Sequence, residues 1–294
     1  MRWRKVTLIG VGLLGGSLGL ALRKRGLAAD VWGYVRRETS ADECIQAGAV
    51  QRATTDLAEA VSGADLIVLC TPLFQMSELG RKMGPNLQHN ALVTDVGSVK
   101  GSLVAELEPV FAAQGAAFVG SHPMAGSEKM GVGAARADLF VNAACVVTPT
   151  RSSVSDKVEE TEALWKAVGA RVLRLSPETH DAFVARSSHL PHVLAAQLAA
   201  LVLDPKSPPE QGKLCANGFR DSTRIASGSP EMWRDILMMN RAEVLAALDE
   251  FSARVEDFRA TLQTGDSTKI EELFLNAKRL RDEWAGKCSS SSPE

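Results

Sequence analysis

Residues 6–10 (VTLIG) form a short apolar run that passes straight into Gly10-Val11-Gly12-Leu13-Leu14-Gly15, a match to G-x-G-x-x-G, and a helical pattern follows over residues 16–26. A strand, a glycine-rich turn and a helix in that order open a dinucleotide-binding βαβ unit. Gly10 permits the tight turn, Gly12 lets the backbone approach a pyrophosphate, and Gly15 lets helix and strand pack closely. The helix N-terminus, at Leu13 and Leu14, then faces the phosphates. A glycine-rich turn that binds nothing is the plainer reading, and the flanking strand and helix argue against it.

The rest of the first half repeats this alternation. Strand-like runs cover residues 31–34, 66–70 (LIVLC), 91–95 (ALVTD), 117–120, 145–148 and 171–175, with helical patterns between them. Continuous apolar strands separated by helices imply an α/β fold, a doubly wound Rossmann-type parallel sheet covered on both faces. From residue 177 onward only helical patterns remain, over residues 180–203, 230–262 and 270–284, interrupted by the proline-rich loop 204–212. The expected organisation is a dinucleotide-binding domain over residues 1–176, an all-helical substrate and dimerisation domain over 177–288, and a disordered polar tail over 289–294. Long amphipathic helices need an apolar partner, which points to a homodimer. The chain ends soon after its helices, so no fused regulatory or mutase domain is expected.

Composition narrows the partners. A net charge of -2 provides no basic field for nucleic acid or anionic membrane. No run reaches the roughly 20 apolar residues of a membrane helix, and the strand at residue 6 leaves no room for a signal peptide. The five cysteines, Cys44, Cys70, Cys145, Cys215 and Cys288, form no C-x-x-C pair and read as reduced thiols of a cytoplasmic protein. No metal site is expected.

The second strand ends in Gly33-Tyr34-Val35-Arg36-Arg37, with Val35 where an NAD enzyme usually places an acid for the ribose hydroxyls. Arg36 and Arg37 could instead hold the 2′-phosphate of NADP with their guanidinium forks, or be two solvated arginines. The sequence favours NADP, or dual use, over NAD alone. Thr71-Pro72 and Asp95-Val96-Gly97-Ser98 follow strand ends that line the crevice of such a sheet. Ser98 is therefore a candidate for nicotinamide or substrate, or for capping the next helix.

Gly120-Ser121-His122-Pro123 places a histidine at another strand end. Its near-neutral pKa suits it to accept a hydroxyl proton as hydride leaves the same carbon. His180, next to Asp181, reads as a supporting residue, and His89 as a surface one.

Five motifs now stand in order: G-x-G-L-x-G-G-S-L, T-D-V-x-S-V-K, G-x-H-P-M-A-G, S-H-L-P-H and G-F-R-D-x-T-R. Together, over about residues 6–233, they closely resemble the prephenate/arogenate dehydrogenase family. The resemblance implies that His122 is the base that draws the proton from the substrate's C4 hydroxyl, and that Ser98 bonds that hydroxyl and supports it. It implies that Arg224 clamps a substrate carboxylate, that Ser127 helps hold substrate, and that Glu128 and Asp221 lie near the entrance. It also places His189 and His192 at the substrate, and His192 favours prephenate over arogenate. Helix capping or core packing is the plainer reading of that pair.

The implied reaction is oxidative decarboxylation of prephenate to 4-hydroxyphenylpyruvate in tyrosine biosynthesis, with hydride passing to NAD(P). Arogenate or dual cyclohexadienyl use is the alternative. A β-hydroxyacid dehydrogenase, whose helix-borne lysine Lys213 and Asn217 faintly echo, and a non-catalytic NAD(P)-sensing regulator are weaker rivals.

Overall fold

The computed structural model describes residues 2–126 and 129–290, with side chains to 287. The N-terminal alternation becomes β1 (Trp3–Ile9), α1 (Leu13–Lys24), β2 (Ala28–Tyr34), α2 (Glu38–Gln46), β3 (Arg52–Thr54), α3 (Leu57–Val61), β4 (Leu66–Leu69), α4 (Leu73–Met83), β5 (Leu92–Asp95), α5 (Gly101–Ala112) and β6 (Ala117–Phe118). These strands make one sheet in the order β3-β2-β1-β4-β5-β6, with every pairing parallel. All four residues of β4 and of β5 are buried, as continuous apolar strands covered on both faces must be. Each buried Leu, Ile or Val there contributes roughly 1.5–3 kcal/mol of transfer free energy. The strand order reverses between β1 and β4, which opens a crevice beyond their C-terminal ends. Gly10 and Thr71 lie at that edge.

The later strands do not extend this sheet. β7 (Gly120–Pro123), β8 (Ala144–Thr148), α6 (Ser155–Ala167) and β9 (Arg171–Arg174) give a separate three-stranded sheet, ordered β7-β8-β9. β7 runs antiparallel to β8, and β8 parallel to β9. His122 thus lies within a strand, opposite Val146, rather than in a loop after one. The physical reason is that β6 has two residues only, and the chain turns at Val119 to pair with a new neighbour. An apolar run records that a strand is buried, not which sheet it joins.

The helical region comprises α7 (Pro177–Val184), a π turn (Ala185–His189), α8 (Leu190–Val202), α9 (Pro209–Lys213), α10 (Asn217–Thr223), α11 (Pro230–Met239), α12 (Arg241–Thr264) and α13 (Ser267–Ser290). The sequence suggests one helix over residues 180–203. Pro191 has no N–H to return to the Ser187 carbonyl, so the helix widens into the π turn just before it. The helix expected over residues 230–262 breaks at Asn240, which ends α11 and is buried.

The chain divides into two compact units, Met1–Arg241 and Ala242–Glu294. The second consists of α12 from Ala242 and α13, with Phe258 and Phe274 edge-to-face at 6.0 Å. Residues 291–294 of the expected tail lie outside the described residues. Among the described residues, no helix is long and apolar enough to cross a membrane.

Candidate active site

The glycine turn is built around space. Gly10 has φ of +94°, a conformation that L side chains rarely adopt. A Cβ on Gly15 would sit 2.1 Å from the Gly10 carbonyl oxygen, so β1 and α1 touch backbone to backbone there. A Cβ on Gly12, by contrast, would meet nothing within 4 Å. α1 starts at Leu13 with no side-chain cap and no acidic residue in its first turn. Leu13 and Leu14 turn their side chains against the core, so they offer a ligand their backbone N–H groups. Beside the turn, Thr71 Oγ1 is buried without a hydrogen-bond partner. Unpaired N–H groups at a helix start, open space and an orphaned hydroxyl together fit the pyrophosphate of a dinucleotide. Pro72, exposed, precedes the first residue of α4.

At the end of β2, Val35 is buried, so it offers nothing to a ribose. Arg36 and Arg37 are exposed, and neither guanidinium has a partner among the described residues. Arg37 stands at the N-cap of α2.

His122 is anchored to the C-terminal edge of the parallel sheet through its neighbour. Ser121 donates its N–H to Asp95 Oδ1 at 3.0 Å and its hydroxyl to the Asp95 carbonyl at 2.6 Å. Asp95 ends β5 and also accepts the Gly97 N–H at 2.8 Å and an ion-paired hydrogen bond from Lys100 Nζ. Lys100 donates in addition to the Ser121 carbonyl at 3.0 Å. Both members of the Asp95–Lys100 pair are fully buried, and burial pushes the Lys100 amine down against the opposing pull of Asp95. A buried pair that is fully hydrogen-bonded holds one geometry, and here it pins β7 to β5.

His122 Nδ1 lies 2.8 Å from His180 Nε2, and His180 Nδ1 lies 2.8 Å from Asp181 Oδ1. Burial first, then the charges of His180, Lys100 and His189, hold the His122 imidazole well below the usual histidine range. It is therefore neutral near pH 7 and able to accept a proton.

The second histidine pair continues the array. His189, at the end of the π turn, is buried, and its Nδ1 accepts from Asn240 Nδ2 at 3.1 Å. Asn240 Nδ2 also donates to the Asp181 carbonyl at 2.9 Å. Burial pushes His189 down to about 4. His192, on α8, stacks on Trp233 with ring centroids 3.7 Å apart and donates its Nδ1–H to the Ser188 carbonyl at 3.0 Å. Burial lowers His192, and the positive charge of Arg224 lowers it further. Arg224, exposed, opens a single 3-10 turn over Arg224–Ser227. The structure thus brings His122, His180, Asp181, His189 and His192 into one array with Arg224 beside its outer member.

Ser98 is partly exposed three residues after β5, and its hydroxyl has no partner among the described residues. It does not cap α5, because Asp181 occupies that role by accepting the Lys100 and Gly101 N–H groups at 2.8 and 2.7 Å. Asp221 is exposed on α10. Ser127 and Glu128 lie outside the described residues. Lys213, exposed on α9, takes no part in the histidine array. His89 is exposed, as expected, in the loop before β5, with its ring close to Gly115. Sequence reasoning passed over Asp95, Lys100 and Asn240. The first two stand in T-D-V-x-S-V-K, whose order was legible although their burial was not, and nothing in the sequence marks Asn240. Among the described residues, no group of side chains could hold a metal ion.

The model of the prephenate dehydrogenase nucleotide-binding domain matches residues 18–174, and that of the prephenate dehydrogenase dimerization domain matches residues 176–276. A prephenate dehydrogenase of Bacillus subtilis is 34% identical over 94% of this chain and 75% of its own. A cyclohexadienyl dehydrogenase of Zymomonas mobilis is 31% identical over 95% of both chains. The crystal structure of prephenate dehydrogenase from A. aeolicus, in complex with hydroxyphenyl propionate and NAD+, superposes with a TM-score of 0.89 at 32% identity, covering 95% of this chain and 98% of that one.

Proposed function

The chain belongs to the prephenate dehydrogenase family, and from that premise we propose that it converts prephenate to 4-hydroxyphenylpyruvate and carbon dioxide, with hydride passing to NAD(P), in tyrosine biosynthesis. The observation that carries the reading is a buried imidazole, His122, held neutral and tied through Ser121 and Asp95 to the sheet edge that carries the nucleotide turn.

The residues divide the work. Leu13 and Leu14 present backbone N–H groups to the pyrophosphate over the open face of Gly12, and Thr71 supplies a hydroxyl. A nicotinamide held there would supply the acceptor for the hydride on the hydroxyl-bearing ring carbon. His122 takes the hydroxyl proton as the carbon–hydrogen bond breaks, and loss of the ring carboxylate as carbon dioxide restores aromaticity. Ser98, with its hydroxyl unpaired, bonds the same oxygen. Arg224 offers a bidentate fork to a substrate carboxylate, and His192 accepts or donates at the side-chain keto acid. Asp221, exposed on α10, stands at the entrance. In a chain of net charge -2, a local cation at 224 is what draws a dianion in.

Arg36 and Arg37, free and exposed beside a buried Val35, support NADP as the preferred cofactor. Arogenate or dual use is the second reading, favoured by the likeness to the cyclohexadienyl dehydrogenase of Z. mobilis. The helical substrate domain starts at residue 177 and joins two copies: exposed Phe274 and Trp284 of α13 supply apolar surface for that contact. Kinetics with prephenate and arogenate, each with NAD and NADP, test the assignment. Turnover of prephenate with NADP is expected, and turnover of neither cyclohexadienol would overturn it.

A further inference from the structure

Given the reading of His122 as the base, the hydrogen bonds behind its ring decide which of its nitrogens is basic. The direction of the hydrogen-bond chain behind it is set at its far end. Asp181 Oδ1 accepts the Lys100 N–H at 2.8 Å, and Oδ2 accepts the Gly101 N–H at 2.7 Å. Backbone N–H groups can only donate, so both oxygens of Asp181 are acceptors. His180 Nδ1, 2.8 Å from Asp181 Oδ1, must then carry a proton. With that proton on Nδ1, His180 can turn the lone pair of Nε2 to His122, whose Nδ1–H donates a hydrogen bond to it at 2.8 Å. That leaves Nε2 of His122 as its unprotonated nitrogen.

We propose that His180 and Asp181 are positioning residues for the reaction: they fix His122 as the Nδ1–H tautomer with a basic Nε2, and the Asp181 carboxylate offsets, through His180, the charge His122 gains with the substrate proton. The proton balance is simple. Nε2 takes the hydroxyl proton, the imidazolium keeps its Nδ1–H bonded to His180, and Nε2 releases the proton to solvent after product leaves. The charge needs an offset because the other groups facing His122 include Lys100 from the β5–α5 junction and His189 from the π turn. Asp95 is already taken by Lys100, and Cys145 of β8 is a buried thiol held well above its ordinary range. Among the described residues, Asp181 is the acid whose side-chain hydrogen bonds lead to the His122 ring. Its backbone is held as well, by Asn240 donating to its carbonyl.

The plainer role for Asp181 is the cap it places on α5, so the test must separate the two. His180→Leu leaves that cap intact and removes the acceptor for His122; kcat is expected to fall by about 10²–10³-fold. His180→Gln can accept at its carbonyl and donate at its amide, so it should recover kcat to within about tenfold of wild type. Asp181→Asn should lower kcat and move the acidic limb of the kcat/KM profile to lower pH, because the imidazolium loses its counter-charge. Nitrogen-15 spectra of the labelled histidines should read Nε2 of His122 as unprotonated in the wild-type chain. A cap alone would lower the melting temperature in Asp181→Asn and leave the limb and the His180→Leu rate unmoved, which overturns the proposal. A protonated Nε2 in active enzyme overturns it too. If His122→Asn retains full kcat, the reading of the base has failed; if that variant is inactive while His180→Leu is normal, only the present inference has.

Discussion

Trp165 donates its indole N–H to Ser121 Oγ at 2.9 Å, one residue from His122, and both partners are fully buried. The same oxygen shares a 2.8 Å hydrogen bond with Thr94 Oγ1 while donating to the Asp95 carbonyl. A tryptophan on α6 and a threonine on β5 therefore fix the strand that carries the candidate base. Ser121→Ala orphans an indole N–H and a hydroxyl in a dry interior, at about 1–3 kcal/mol each. The expected loss is about 2–4 kcal/mol in urea unfolding with an unchanged m-value. A loss under about 1 kcal/mol would show that the network relaxes freely.

His122→Asn keeps a polar side chain of similar bulk but has no basic nitrogen. A positioned general base is worth about 10²–10⁴-fold. kcat should fall within that range, while the dissociation constant of the nicotinamide cofactor, followed by fluorescence, stays within about twofold. A near-normal kcat would remove His122 from the chemistry.

Much of this was legible beforehand, for local reasons. G-x-G-x-x-G announces its own geometry because each glycine answers a steric demand set within a few residues, as Gly15 does against the Gly10 carbonyl. That the parallel sheet is covered on both faces follows from strands too apolar to face water, whereas their order is set by long-range pairing. The assignment of His122 to a strand end failed because the antiparallel pairing with Val146 is a long-range event that no local pattern records. Asn240 was invisible for the same reason. Its amide links Asp181 and His189 from about 60 and 50 residues away, and an asparagine in a helical stretch reads as a surface residue until that fold exists. His180 next to Asp181 was legible as a pair, but the polarity of the chain it belongs to depends on the start of α5.

Gly15→Ala should break the nucleotide turn without disturbing the core. The added carbon would lie 2.1 Å from a backbone oxygen that cannot rotate away, so β1 and α1 must separate at the turn. Cofactor affinity is expected to drop at least tenfold by isothermal titration, and the far-ultraviolet circular dichroism should stay as in wild type. Unchanged affinity would mean that the dinucleotide binds elsewhere.

The exposed pair at the end of β2 makes the cofactor prediction specific. Arg36→Ala and Arg37→Ala each remove one fork that a 2′-phosphate can use, and charge-assisted hydrogen bonds of this kind are worth about 1.5–3 kcal/mol. The double variant should raise KM for NADP by more than about tenfold and leave KM for NAD nearly unchanged. Equal effects on the two cofactors would make the arginines general surface charges.

His189 gives the pH dependence a definite sign. Its folded-state pKa is pushed down to about 4 from 6.5, by burial above all, with the nearby charges of His180 and His192 adding to it and Asp181 opposing. The unfolded chain thus binds a proton at a pH where the folded chain does not, so stability rises with pH across that window. The contribution is present in full above about pH 6.5 and is lost as pH falls toward 4, amounting to roughly 3 kcal/mol at about 1.4 kcal/mol per pH unit. His122 is shifted in the same direction and adds to the slope. His189→Gln keeps an acceptor for Asn240 but cannot titrate. The stability difference between wild type and this variant, measured by urea unfolding at several pH values, should therefore swing by about 3 kcal/mol against the wild type between pH 7 and pH 4. If the two unfolding curves stay parallel over that range, His189 carries no buried proton linkage.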